Sequence, residues 1–398
     1  MAAQRVIEAR RFGRVRGLGL LALALCDHPT SRKAWKTLRE FRLHVACRLG
    51  LADPVPGRAI RPWADRGPEG GRRQSLRVYA PGVVDERASR APEAWPELPL
   101  QAWRDTYATL HLWLQIVGKI RHTLGPRPPL NHCWGDTLYV TAWGLTTSPI
   151  PSGNRNFEID FDFIGHRLLI ETGDGRTAEM PLQPQSVAAF YAKLFRELDR
   201  LGLDVRIHAR PNEVADPIPF EKDETHASYD AEYANRFWRV LAQADRVFKK
   251  FRSRFIGKCS PVHLFWGAPD LAVTRFSGRV APVHPGGVPN LPDRVTRDAY
   301  SHEVSSAGFW PGGGPVPHAA FYAYAYPEPA GFADAKVGPE GAFYSKDLHE
   351  FLLPYDAVRL SPTPDDTLLE FLQTTYAAAA DLAGWDRKSL EQKAAASR

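Results

Sequence analysis

Between Trp103 and Leu124 the apolar positions Trp103, Tyr107, Leu110, Leu114, Val117 and Leu124 follow steps of three, four and seven, and Gly125-Pro126 supplies a stop. That spacing predicts a helix. A second stripe, Leu112, Ile116 and Ile120, predicts that the helix is covered on more than one side. The period then drops to two. Residues 137–142 alternate around Leu138 and Val140, and residues 157–164 put Phe157, Ile159, Phe161 and Phe163 on one face with Glu158, Asp160 and Asp162 on the other. Alternate carboxylates on one face could ligate a divalent cation, but the commoner reading is the solvated side of an antiparallel sheet. Residues 168–171 and 176–182 flank Gly173-Asp174-Gly175 as a hairpin. A helix over 186–201 and a strand over 203–208 follow.

A connector rich in proline and acidic residues, 211–229, separates two halves. Beyond it Ser228 or Asp230 can cap a second long helix with core stripe Tyr233, Phe237, Val240, Ala244, Val247, Phe251 and Phe255, ending at Gly257. Strands are predicted over 300–309, over 321–326 (FYAYAY) and over 351–358, where Pro354 confines the last to an edge. A final helix covers 365–383, and the tail from Lys388 frays. Strands cluster between helices without a βαβ rhythm, so the expected fold is α+β with largely antiparallel sheet. The expected organisation is a basic arm over 1–94, halves over 95–210 and 230–385 joined by 211–229, and a tail over 386–398.

An internal echo supports two related halves. Asn131–Gly144 and Ser260–Gly278 each carry a His, then Trp-Gly, then a strand with Val-Thr, and nine positions separate Gly125 from Trp134 and Gly257 from Trp266.

Composition changes this picture mainly at the N-terminus. The 398 residues are 44% apolar and 11% aromatic, enough for a substantial core. The net charge of +6 sits in residues 1–94, which carry +10, leaving −4 on the body. A nucleic-acid partner is therefore not expected. Residues 58–90 hold too few large apolar side chains to offset their ordering entropy, and only 31–49 in the arm is periodic. Cys26, Cys47, Cys133 and Cys259 show no metal-ligand spacing, and the apolar run 18–26 is not followed by a small-residue cleavage site. The expectation is a cytoplasmic chain with no membrane span, no metal, and cofactor and oligomeric state left open.

Candidate chemistry begins with histidine, which can serve as acid, base or ligand near neutral pH. His132 and His263 precede the Trp-Gly pairs, His302-Glu303 lies at a strand start, and His226 lies in the connector. Convergence of the halves would bring His132, His263, His302 and Glu303 into one catalytic set. Phosphate-loop, dinucleotide, zincin and nucleophile-elbow signatures are absent. Trp134, Trp143, Trp266, Trp310, Phe309, Tyr322, Tyr324 and Tyr326 lie near loops rich in Gly and Pro and are candidate pocket walls, with Trp134, Trp266 and Tyr322 foremost. Arg275 stands in an apolar strand and calls for a carboxylate, Asp270 or Glu303, or for an anionic ligand. These residues favour a cleft that binds a small, anionic molecule with His and carboxylate acid-base chemistry. The alternative is a non-catalytic protein-interaction module.

The strings WPELPLQAWRDTYATLHLWLQIVGKIR, LTTSPIP, FEIDFDFI, FIGKCSPVHLFWG, AYSHEVSSAGFWPGGG and FYAYAYPEPAGF together resemble a bacterial family of uncharacterised proteins, domain of unknown function 5996, over residues 95–385. The resemblance implies no reaction. It does imply a His after the first Trp and an Arg before Gly-Leu-Thr-Thr, where this chain has Gly135 and Trp143. A member so altered would differ in any function those two positions serve.

Overall fold

Two antiparallel sheets, each flanked by a long helix on its N-terminal side, account for the architecture of the computed structural model. It describes residues 93–125, 132–287 and 291–392. The chain divides into Met1–Asp85 and Glu86–Arg398, and only the second unit is treated below. The basic arm, with its helix expected over 31–49, lies outside the described residues.

Helix α1 (Leu100–Leu124) opens the first half. Strands β1 (Tyr139–Val140), β2 (Gly144–Thr146), β3 (Ile150–Ser152), β4 (Arg155–Asp162), β5 (Arg167–Thr172) and β6 (Thr177–Pro181) follow, with helix α2 (Val187–Arg200) closing it. Their sheet runs β1-β2-β4-β5-β6, and β3 pairs with β4. Phe157, Ile159, Phe161 and Phe163 are buried as the alternation requires, and Trp113 of α1 stacks on Phe190 of α2 with centroids 4.7 Å apart. Such a pair contributes about 0.5–1.5 kcal/mol beyond its buried area.

The second half starts with α3 (Ala231–Ser253), where Asp230 accepts a capping bond from the Tyr233 N–H. Strands β7 (His263–Leu264), β8 (Leu271–Val280), β9 (His302–Trp310), β10 (Ala320–Tyr326), β11 (Phe343–Ser345) and β12 (Glu350–Pro354) form the sheet β11-β12-β10-β9-β8-β7. Short α4 (Asp293–Ala299) precedes β9; α5 (Tyr355–Arg359), α6 (Pro364–Leu382) and α7 (Arg387–Leu390) end the chain's described part. Reciprocal bonds between Leu138 and Leu264 at 2.9 and 2.8 Å join the edges of the two sheets.

The α+β expectation therefore holds, with local corrections. Residues 203–208 form no strand. Residues 355–358 are helical rather than extended: β12 is interior, and Pro354 closes it without removing a ladder donor, because the next amide, Tyr355 N–H, bonds Ala319 O at 2.9 Å. The tail is ordered to residue 392, since Leu390 O accepts from Ile256 N–H at 2.8 Å. The carboxylate face of β4 is not a wet one. Asp160 and Asp162 are each 5% exposed; Asp162 caps Ile164 and Gly165 and pairs with Arg167 at 3.0 Å. Burial pushes Asp160 up to about 6.

The echoed stretches are not local copies of one another. His132 sits in a left-handed turn and His263 in a strand, and the two stretches pack together through Leu138, Leu264 and the Trp266 indole, which donates to Asp136 O at 2.7 Å.

Candidate functional site

Helix α1 buries both of its apolar stripes, and between them runs a polar row at four-residue spacing: Tyr107, His111, Gln115 and Lys119. Side chains four apart stand one above another on a helix. Gln115 is fully buried, and an unsatisfied amide there would cost about 1–3 kcal/mol. It is satisfied by a neighbouring backbone. Its Oε1 accepts from Asn212 N–H at 2.8 Å and its Nε2 donates to Asn212 O at 2.9 Å. His111 Nε2 donates to Gly267 O at 2.6 Å, and Lys119 Nζ donates to Asn212 Oδ1 at 2.6 Å. The row thus fixes two loops, one around Asn212-Glu213 and one from Trp266 to Asp270.

The second sheet supplies the facing wall. Register places Tyr322, Tyr324 and Tyr326 opposite Gly308, Ser306 and Val304, which in turn face Ala272, Thr274 and Phe276. Residues directly opposite share a face, so the tyrosines line one side while Phe321, Phe309 and Val273 turn into the main core. Tyr322 donates its hydroxyl proton to the Asp270 carboxyl. Tyr300 donates to Tyr324 at 3.1 Å, Tyr324 donates to His132 Nε2 at 3.1 Å, and His132 Nδ1 donates to Ala299 O at 3.1 Å. Because a carbonyl can only accept, the direction of this relay is set at the His132 end.

Glycines make room for the large members. A Cβ at Gly118 would collide with the Trp266 indole, at Gly267 with the Glu213 carboxylate, and at Gly308 with the Tyr322 ring. Glu213, His132 and Cys133 also hold positive φ angles of 55°, 47° and 58°. Such backbone strain is concentrated at functional sites and must be held in place by its surroundings.

The cluster shifts its titratable groups strongly. Burial pushes Asp270 up to about 8, with the Tyr322 hydrogen bond opposing and Glu213 adding to the rise. Burial raises Glu350 to about 7 and raises Glu213. His111 and His132 fall to about 4 and Lys119 to about 8, again through burial. Asp270 as a residue is partly buried, and its carboxyl holds its proton at neutral pH.

The residues singled out by sequence divide between two faces. His132, His263, Trp266, Asp270 and Tyr322 come together; His263 lies edge-on to Phe265 at 4.6 Å, as does His132 at 6.2 Å. His263 donates from Nδ1 to Pro261 O at 2.8 Å, and its buried Nε2 has no partner. Trp134 packs on Phe276 at 5.7 Å, and His226, bonded to buried Asp223 at 2.8 Å, is close enough for its charge to lower His111. Glu303 does not join the set. Strand alternation turns it to the helical side, where it accepts from Ser277 and Arg279 at 2.8 Å, while adjacent His302 bonds Ser301 at 3.3 Å.

Arg275 is on that helical side too. Its 1%-exposed side chain lies on Phe251 and Tyr376, 3.4 and 4.2 Å from their ring centres, and donates to Phe251 O. Neither Asp270 nor Glu303 pairs with it. The expectation that Arg275 marks an anion site is therefore corrected: aromatic faces and a carbonyl lie against it, and the Glu391 carboxylate is close enough for its charge to act on it. Sequence reading missed Tyr107, His111, Gln115, Lys119, Glu213, Tyr300 and Glu350. Two signals were available, Gly118 inside a helix and Gly308 inside a strand, where glycine often marks a close approach.

Among the described residues no group of three or more His, Cys, Asp or Glu is placed to hold a metal ion, and no helix is long and apolar enough to cross a membrane. The chain matches a family model, Family of unknown function (DUF5996), over residues 95–392. No curated protein and no solved structure matches it.

Proposed function

We propose, for a chain that belongs to the Family of unknown function (DUF5996), that the recess between α1, the 265–270 loop and the tyrosine face binds a small polar molecule and exchanges a proton with it through Asp270. One observation carries this reading: a partly buried aspartate whose carboxyl is hydrogen-bonded by Tyr322 and has its pKa pushed to about 8. An acid whose pKa lies near the working pH combines availability of the proton with readiness to transfer it. Perturbed groups gathered from separate chain segments are also what an acid-base site requires. Asp270 serves as the acid or, once ionised, the base. Tyr322 orients it, and the Tyr300-Tyr324-His132 relay holds the adjoining wall. A protein-docking surface would turn its rings outward, whereas Tyr322 is buried and Tyr324 is tied to His132.

The test is a thermal-shift screen of small polar molecules on the full chain, the Asp270→Asn variant and the Tyr322→Phe variant. A ligand at about 100 times its Kd adds about 2.7 kcal/mol to native stability. The expected result is a set of ligands whose shift is lost in Asp270→Asn and reduced in Tyr322→Phe. Ligands that stabilise all three proteins equally would refute the assignment.

A further inference from the structure

We infer that the recess takes small carboxylic acids, with the ligand carboxylate bound at Lys119. This rests on the binding reading above and names the ligand class. Lys119 is 6% exposed, and among the described residues its ammonium has one hydrogen-bond partner, the neutral amide oxygen of Asn212 at 2.6 Å. The Trp266 ring centre lies 5.6 Å away. Among the described residues no carboxylate contributes to its electrostatics; burial is what lowers it. A buried ammonium is ordinarily compensated by an anion, because an amide dipole and a ring face replace only part of its lost hydration.

The surroundings fit an anion supplied from outside. Gln115 locks the backbone of Asn212 on one side of Lys119 and His111 locks Gly267 on the other, so the ammonium is held between two fixed loops. Around it Asn212, Trp266 and Gly267 are half-buried and Glu213 is exposed. Asp270 keeps its proton at neutral pH, and burial raises Glu213 and Glu350 as well. A bound carboxylate would in turn favour the charged amine and the protonated acid. This assigns the anion-binding role to Lys119 in place of Arg275.

The experiment compares matched probes, benzoate with benzamide and lactate with lactamide, by ligand-observed NMR on the full chain, on Lys119→Met and on Asp270→Asn. The carboxylates are expected to bind at least about tenfold more tightly than their amides, and Lys119→Met to abolish that preference. In the unsubstituted protein labelled with 15N-lysine, saturating benzoate should raise the Lys119 pKa by about one to three units; this readout stands even if Lys119→Met does not fold. Equal binding of acid and amide, or a preference that survives Lys119→Met, overturns the anchor while leaving a binding recess in place. Binding of the amides lost in Asp270→Asn would uphold the proposed function alone. No binding of any carboxylate at about 10 mM, enough to detect millimolar affinity, overturns the inference.

Discussion

Replacing Asp270 by Asn tests the protonated carboxyl without any knowledge of the substrate. Asn keeps the shape of the side chain, and its Oδ1 can still accept the Tyr322 hydroxyl. Below about pH 3.8 the carboxyl is protonated in native and unfolded chains alike, and above about 8 it is ionised in both. Between those limits the unfolded chain has released the proton and the native chain retains it. Stability therefore falls as pH rises through this window, by about 1.4 kcal/mol per unit. From about pH 5 to 7 the parent should lose about 2.7 kcal/mol that the variant does not lose. Glu213 and Glu350 titrate in both proteins, so the difference between the two isolates Asp270 apart from its influence on those neighbours. Urea unfolding of parent and variant at matched pH values supplies the measurement. Parent stability that stays level relative to the variant within about 0.5 kcal/mol across that range, or that rises relative to it with pH, would show that Asp270 is an ordinary ionised carboxylate.

Gly118→Ala should destabilise by about 1–3 kcal/mol and alter tryptophan fluorescence, because the new methyl meets the Trp266 indole; at an unobstructed helix position the same change would stabilise by about 1 kcal/mol, and a gain in urea midpoint would refute the contact. Arg275→Met should change unfolding stability by no more than about 1.5 kcal/mol, since an apolar chain of similar volume suits the Phe251 and Tyr376 rings, whereas Arg275→Ala should cost about 2–5 kcal/mol through the cavity it leaves. Equal losses in the two Arg275 variants would show that the charge, not the volume, is needed there.

Periodicity revealed which positions are buried, and much less about what lies against them. The α1 stripe, the β4 alternation and the Asp230 cap could all be read because each depends on neighbours close in sequence. Asp160 shows where that reading stops. Its alternation with Phe161 was visible, but the cover that leaves it 5% exposed comes from the fold, so a face that looked wet is dry. Arg275 fails for a related reason. An arginine in an apolar strand was correctly read as buried, yet the rings that surround it, Phe251 and Tyr376, come from α3 and α6.

The polar row of α1 was within reach of the sequence and was not read. At one hundred degrees per residue, Tyr107, His111, Gln115 and Lys119 fall in the arc between the stripe of Leu110, Leu114 and Val117 and that of Leu112, Ile116 and Ile120. If both stripes are covered, the arc between them is enclosed as well, and Gln115 at 0% and Lys119 at 6% exposure follow directly. Polar side chains enclosed in this way need partners, which is why the row grips the Asn212 and Gly267 backbones. Gln115 finds its full complement there, while Lys119 finds a neutral oxygen and a ring face and, among the described residues, no opposite charge. A second apolar stripe on one helix thus predicts more than extra cover: it places the polar residues between the stripes where a ligand can complete them.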